Sequence, residues 1–491
     1  MTAENPARRL GNLLARWSVA AFTLDTRSLA AYRIGLGLIL VADCLLRTRD
    51  FSLMFTPDGI FPLEPLARFH ATATVWSLAF LHDSAWWSGT VLALEGVAGA
   101  ALAVGWHTRV ATIAAWVALV SVIRRTSPAV NAGDVWLACQ LMWSMFLPLG
   151  ARWSLDAFRT GRTSAATPLT STVCSPASAA LVLQILVVYF SAGLAKCNAG
   201  WVAGESLAHA LSVHDHGTPL GMMLGGIPWL SRLLQWSVVT GELVLPLAVL
   251  VCPTPRIRGL LVAVFVAFHL GVWLGMAVGL FPAIGIVAWL PLVPAAIWPA
   301  DRRPVQPAAK LTRGAAWACG LAASLAAVSF VHHVTPWRRM VLPPPVVAAL
   351  NLLSLSQEWE MFGGVLAQEQ WFYSRALLAD GSEVDLLRDG QGVEPERPTG
   401  GATSLPHHRW HKFLGVLTQP SAQILTAPAA AGLARQWNAR HGPTRQVVSL
   451  DIRFGLQAVQ GNDNAVLDFL VASWPPRSTA GGGNLERFLR E

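Results

Sequence analysis

One lysine stands out by its surroundings. Lys196 closes the apolar run Leu181 to Leu194, within Tyr189-Phe-Ser-Ala-Gly-Leu-Ala-Lys-Cys-Asn-Ala-Gly-Trp201. The chain has two other lysines, Lys310 and Lys412, among many arginines. Arginine stays protonated in proteins, whereas a desolvated lysine can give up its proton. A lysine at an apolar boundary, next to polar Asn198 and an interfacial Trp201, is therefore a candidate general base. The same spacing fits a side chain that snorkels from an apolar helix to the interface. The residues alone leave both readings open.

Five more ionisable residues interrupt long apolar runs: Arg33, Asp43, Glu95, Glu242 and His269. At that depth a charge needs a partner or a wet cavity. Asp43 and Arg47 are spaced to pair on one helical face. Each of the five could instead be a buried polar strut between helices. Taken together they argue for an interior cavity, because isolated polar defects in an apolar bundle are costly. Other clusters carry less. His214-Asp-His216 offers too few ligands for a metal site. His332-His333 and His407-His408 read as interfacial or surface pairs, and His408 to Lys412 as a solvated helix face. No Walker loop, dinucleotide fingerprint, nucleophile elbow or zinc-protease helix occurs. The six cysteines have no zinc-site or disulfide spacing, so no metal is expected.

The elements that must position these residues are membrane helices. The chain is 53% hydrophobic and 13% charged, where soluble domains carry roughly a quarter charged residues. A span needs about 20 apolar residues. The expected spans are Leu29–Leu46, Trp87–Val104, Val110–Ile123, Asp134–Leu149, Ala177–Lys196, Leu230–Cys252, Leu260–Leu280, Pro282–Trp298 and Gly314–Val331. The expected fold is thus an all-α polytopic bundle of about nine helices, followed by a small α+β domain. Its parts are an amphipathic cytoplasmic segment (1–28), the transmembrane domain (29–335), the α+β domain (336–475) and a mobile tail (476–491). Loop arginines are richer on the side of the N-terminus, which sets it in the cytoplasm and the C-terminal domain outside, in the periplasm of a bacterial inner membrane. The net charge of +8 follows from that bias and needs no nucleic acid.

In the C-terminal part, Gln370–Leu378, Asp380-Gly381 and Ser382–Leu387 read as a hairpin with a tight turn. His407–Leu417 and Gln423–Arg440 read as helices. Arg445–Ala458 reads as a strand with Val466–Trp474 as its partner.

Three stretches resemble the vitamin K-dependent gamma-carboxylases and their bacterial relatives, the HTTM (horizontally transferred transmembrane) domain proteins. The first is Asp25-Thr-Arg-Ser-Leu-Ala-Ala-Tyr-Arg33 with Asp43, Arg47 and the Phe55-Thr-Pro-Asp-Gly-Ile-Phe-Pro62 turn. The second is Asn131-Ala-Gly-Asp134 leading to Phe146-Leu-Pro-Leu-Gly-Ala-Arg-Trp-Ser-Leu-Asp156. The third is Tyr189 to Trp201 itself. The likeness covers about residues 20 to 300 well and the rest faintly.

The resemblance implies a reduced, vitamin K-like quinone among the helices, with Lys196 as the base that deprotonates it. It implies that Asn131 contacts the head group, and Asn198 and His269 are further candidate contacts. In the carboxylases, oxygen turns the quinol into a base strong enough to remove a glutamate γ-proton, and carbon dioxide then adds. This chain departs from that pattern. Ala132 stands where a histidine is expected, Ala195 where a second lysine would be, and Asn198 and Gly200 replace two aspartates. The lysine and asparagine survive while their polar support is altered.

Two functional classes follow. One is a quinol-dependent, carboxylase-like enzyme working at the outer membrane face on a protein or small carboxylate. The other is a transporter or a lipid- or quinone-binding scaffold, with Arg33, Asp43, Glu95 and Glu242 lining a cavity. In both, the lipid bilayer is the main partner.

Overall fold

The computed structural model describes residues 6–70, 74–161, 171–204, 206–212, 216–299, 312–334, 341–364, 368–398, 404–458 and 466–477. Apolar runs become its long helices, several of which open on a capping residue. Helix α1 spans Pro6–Phe22. Helix α2 spans Thr26–Arg47 and is capped by the Asp25 carboxylate, which accepts from the Arg27 amide. Helix α3, Ala85–Val104, starts at Ser84 and stops at Gly105 in a left-handed conformation. Then follow α4 (Thr108–Arg125), α5 (Ala132–Ser144), α6 (Pro176–Ala195), α7 (Pro228–Val251), α8 (Pro255–Gly275), α9 (Phe281–Trp289) and α10 (Arg313–Val334). Proline in the first turn of α6, α7 and α8 sits where the missing amide hydrogen would have no intrahelical partner.

Six of these helices are long and apolar enough to cross a membrane: the Thr26–Met54 stretch containing α2, then α3, α6, α7, α8 and most of α10. Of the nine expected spans, six coincide with such helices among the described residues. The other three are too short or too charged. Helix α4 carries Arg109, Arg124 and Arg125 near its ends, which leaves an apolar middle shorter than the bilayer core requires. Helix α5 has 13 residues and α9 has 9. Pro291 and Pro294 end the α9 segment. All three still pack inside, with Trp136, Trp143 and Trp289 fully buried. By contrast α7, α8 and α10 present Trp229, Leu233, Leu260, Leu274 and Trp317 outward, as helices with lipid for a solvent do. Helices α2 and α3 approach closely, since a Cβ on Gly37 would lie 2.5 Å from the Gly99 carbonyl oxygen.

Among the described residues, the C-terminal domain is built on a four-stranded antiparallel sheet packed with helices. Strands β1 (Gln368–Leu378), β2 (Glu383–Val384), β3 (Val447–Ala458) and β4 (Val466–Trp474) lie in the order β2-β1-β3-β4. The Asp380-Gly381 turn joins β1 to β2, with Gly381 at φ +83°. The second strand is shorter than expected because Asp385 leaves the sheet to cap a 3-10 turn at Leu386–Arg388. Helices α11 (His408–Leu417) and α12 (Gln423–Arg440) fall where the sequence places them. Most of the expected tail, 478–491, lies outside the described residues.

This domain has no separate core. Phe372, Leu414, Leu433, Ile452 and Phe454 share one buried cluster with Leu53, Phe55, Ile60 and Phe61, and with Val91 and Leu92 of α3. The Arg125 guanidinium holds the 54–61 turn beneath it by donating to the Phe55 and Phe61 carbonyls at 3.1 and 2.7 Å.

Candidate functional site

Lys196 follows the last turn of α6, and its side chain is buried. An ammonium has three N–H bonds, and here each has an acceptor. Nζ donates to Glu242 Oε2 on α7 at 2.8 Å, to the Met361 carbonyl at 3.0 Å and to the Ala192 carbonyl at 3.2 Å. The Trp201 ring lies 5.5 Å from Nζ. Gly193 lets α6 and α7 meet at this level, because a Cβ there would press on the Leu243 backbone at 3.1 Å.

The two polar neighbours in the same motif extend this pattern. Asn198 Nδ2 donates to the Gly363 carbonyl at 2.6 Å and Trp201 Nε1 to the Phe362 carbonyl at 2.9 Å. Three side chains of one short motif thus hold three consecutive carbonyls, 361 to 363, of the strap that leads into β1. The strap is strained at Phe362, whose φ of +55° is costly for a residue with a side chain. The clamp supplies the hydrogen bonds that offset this.

That strap forms one wall of a chamber of about 760 Å³ between the bundle and the sheet domain. The bundle contributes Asn131, Val135 and Phe281, the strap Glu358, Glu360, Met361 and Phe362, and α11 contributes His408 and Lys412. Lys196 stands behind this wall: Met361 faces the chamber and its carbonyl takes the lysine's hydrogen bond.

Asn131 has two tasks. It caps α5, its Oδ1 accepting from the Asp134 amide, while the Asp134 carboxylate accepts from the Asn131 amide. The cap fixes the side-chain orientation, so Nδ2 must face His408, and it donates to Nε2 at 3.1 Å. His408 therefore carries its proton on Nδ1. Burial, and then the neighbouring Arg409, push its pKa down to about 3, so the ring is neutral.

Behind Asn131 lies a buried charge network. The Arg47 guanidinium donates to Asp43 at 2.7 Å and to Asp134 at 2.9 Å. The Arg409 guanidinium from α11 reaches down to Asp134 at 2.6 Å and to Asp43 at 2.9 Å. Asp43 and Asp134 are thus each bridged by two arginines, one from the bundle and one from the C-terminal domain. Glu95 adjoins Asp43 and is fully buried beside this network.

The structure separates the remaining candidates. Asp43 pairs with Arg47 as their spacing predicts. Glu242 is the partner of Lys196. Arg33 serves the end of α3, donating to the Leu102, Ala103 and Trp153 carbonyls at 2.6–2.7 Å. His269 does not face the chamber. It is enclosed by Trp136, Tyr189 and Phe281, and Nε2 is 2.6 Å from the Tyr189 hydroxyl. The same hydroxyl accepts from Trp289 Nε1 at 2.8 Å. Asn198 holds the strap and does not line the chamber.

The reading of His408 to Lys412 as a solvated face is corrected. Arg409, Trp410 and His411 are buried, and His408 and Lys412 line the chamber. The signal for Arg409 was an imbalance: Asp43 and Asp134 share a single bundle arginine at this level. The pair His214 and Asp215 lies outside the described residues. Among the described residues no group of histidine, cysteine and carboxylate side chains could hold a metal ion.

A family model described as the HTTM domain matches residues 23–298. No curated protein and no solved structure matches the chain. The matched span holds every bundle residue of the site, from Arg33 to Phe281. The strap and α11 lie beyond it.

Proposed function

The chain belongs to the HTTM domain family, and from that premise we propose that it is a multi-pass membrane protein that binds a lipophilic molecule with a polar ring-shaped head. The chamber walled by Asn131, Phe281, Phe362 and His408 carries this reading. Binding sites for such molecules are concave and mainly apolar, with a few fixed polar groups. Here Phe281 and Phe362 offer flat apolar walls. The second Asn131 amide hydrogen and the neutral His408 ring offer donors. A head group of the reduced-quinone class fits that donor set, and when bound it would supply reducing equivalents. Asn131 and His408 would orient it, and the Lys196–Glu242 clamp would keep the strap closed over it. The membrane belongs to this proposal as a bacterial inner membrane, with the N-terminus inside and the C-terminal domain outside.

A second reading keeps Lys196 as a base in a carboxylase-like reaction on a protein or small carboxylate. What favours it is that Nζ donates to the carbonyl of Met361, a residue that lines the chamber. If the strap moves and Glu242 takes the proton, a neutral amine faces the ligand.

The test is to purify the full chain in nanodiscs, extract it for co-purifying quinone and titrate it with a menaquinol. Asn131→Ser should preserve the helix cap and weaken binding. Absence of any quinone binding by the wild-type protein, or equal binding by Asn131→Ser, refutes the chamber assignment. The base reading adds that Lys196→Arg keeps the ion pair yet abolishes turnover.

A further inference from the structure

A second cavity, of about 430 Å³, lies on the other side of His408 and Val278, which face both spaces. Its inner end is the charge network of Asp43, Arg47 and Arg409. Its exposed rim includes Arg49 and Trp273. Arg47 and Arg409 are committed to Asp43 and Asp134, and His407 pairs with Asp50. Arg49 makes no hydrogen bond or ion pair among the described residues, and it is exposed at the rim.

The setting of that cation decides what it suits. Trp273 is at the end of α8, a candidate span whose outer face presents Leu270, Trp273 and Leu274. A tryptophan at the end of a lipid-facing helix marks the interfacial level of a bilayer. Arg49 follows directly on α2, another candidate span. The cavity therefore opens where head groups lie, with the exposed Arg49 guanidinium at its mouth and apolar Met54, Phe55 and Met276 within. We propose that it binds the head group of an anionic phospholipid, with the phosphate on Arg49 and an acyl chain along Leu270 and Leu274. The inference does not depend on the quinone chamber.

The experiment uses the full-length protein, delipidated in a neutral detergent, with labelled phosphatidylglycerol and phosphatidylcholine as probes. A juxtamembrane arginine is worth about 1 kcal/mol towards an anionic lipid, so Arg49→Gln should lower phosphatidylglycerol retention about fivefold. Phosphatidylcholine retention should not change. Arg68→Gln is the charge control, because Arg68 is exposed and paired with Glu64 on the surface; it should leave both lipids alone. Ala277→Trp, which fills the rim without touching charge, should also reduce phosphatidylglycerol retention. The proposal is overturned if Arg49→Gln retains the lipid as the wild type does, or if Arg68→Gln loses it equally. It is also overturned if inorganic phosphate displaces the lipid at matching concentration, which would mark a soluble-anion site.

Discussion

The Lys196 ammonium and the Glu242 carboxylate meet at 2.8 Å between α6 and α7, both almost wholly buried. A pair in that setting is unforgiving of single changes. Removing one partner leaves the other charge desolvated without compensation, which costs about 3–5 kcal/mol, whereas replacing both with apolar residues of similar volume can be neutral. Lys196→Met should therefore lower the melting temperature in detergent sharply, and Lys196→Met with Glu242→Leu should recover most of the loss. Additive effects in this cycle would show that the two groups do not interact.

Arg409 ties the C-terminal domain to the bundle through Asp43 and Asp134. Arg409→Leu leaves two buried carboxylates to share Arg47, and an effect of about 3–5 kcal/mol is expected. Its location is the sharper criterion. Hydrogen exchange should rise in 408–417 and in 131–135 while α7 and α8 stay protected. A uniform rise along the chain would contradict a local tie.

His408 predicts an acid limb. Its folded-state pKa, about 3, lies below the usual histidine value, so between pH 6.5 and 3 the unfolded chain binds the extra proton. The contribution is intact above pH 6.5 and is lost as pH falls, reaching roughly 2 kcal/mol by pH 5. Melting temperatures measured from pH 7.5 down to 4.5 should fall more steeply for the wild type than for His408→Gln. Parallel slopes would contradict a buried neutral ring.

Gly285 makes room for His269, since a Cβ there would lie 2.1 Å from the imidazole. Gly285→Ala should cost about 1–3 kcal/mol by overpacking. In a His269→Ala background the same change should be much milder. Because His269 faces no chamber, ligand occupancy in Gly285→Ala should track the folded fraction. A loss of binding beyond that fraction would restore His269 as a ligand contact.

Much of the C-terminal domain was legible because its signals are local. The Asp380-Gly381 turn, the run Val466–Trp474 and the ends of α12 need no distant partner to be read. The bundle was legible in kind, and six of its nine expected spans are long apolar helices. Hydropathy registers that Asp134–Leu149 and Pro282–Trp298 are apolar. It does not register that α5 stops at Ser144 or that Pro291 and Pro294 break the segment after α9. The site was legible in its donors and hidden in its acceptors. Lys196, Asn198 and Trp201 could be picked out by residue type, but two of the lysine's acceptors and all of the strap contacts are backbone carbonyls, which have no residue signature. Met361 is 165 residues further along the chain. Arg409 was hidden differently, because an arginine next to His408 and Lys412 on a short helix resembles a wetted surface until the two aspartates beneath it are seen.

The shared cluster of Phe55, Phe61, Leu414 and Phe454 governs how the protein must be made. The segment around Phe55 is synthesised long before the helices α11 and α12 that cover it; Asp43 waits 366 residues for Arg409. Throughout that interval a nascent chain shows an oily, half-finished surface at the bilayer edge. A stop codon or cleavage before α11 would leave that surface permanently bare, which gives the cell a physical mark by which to tell incomplete copies from finished ones.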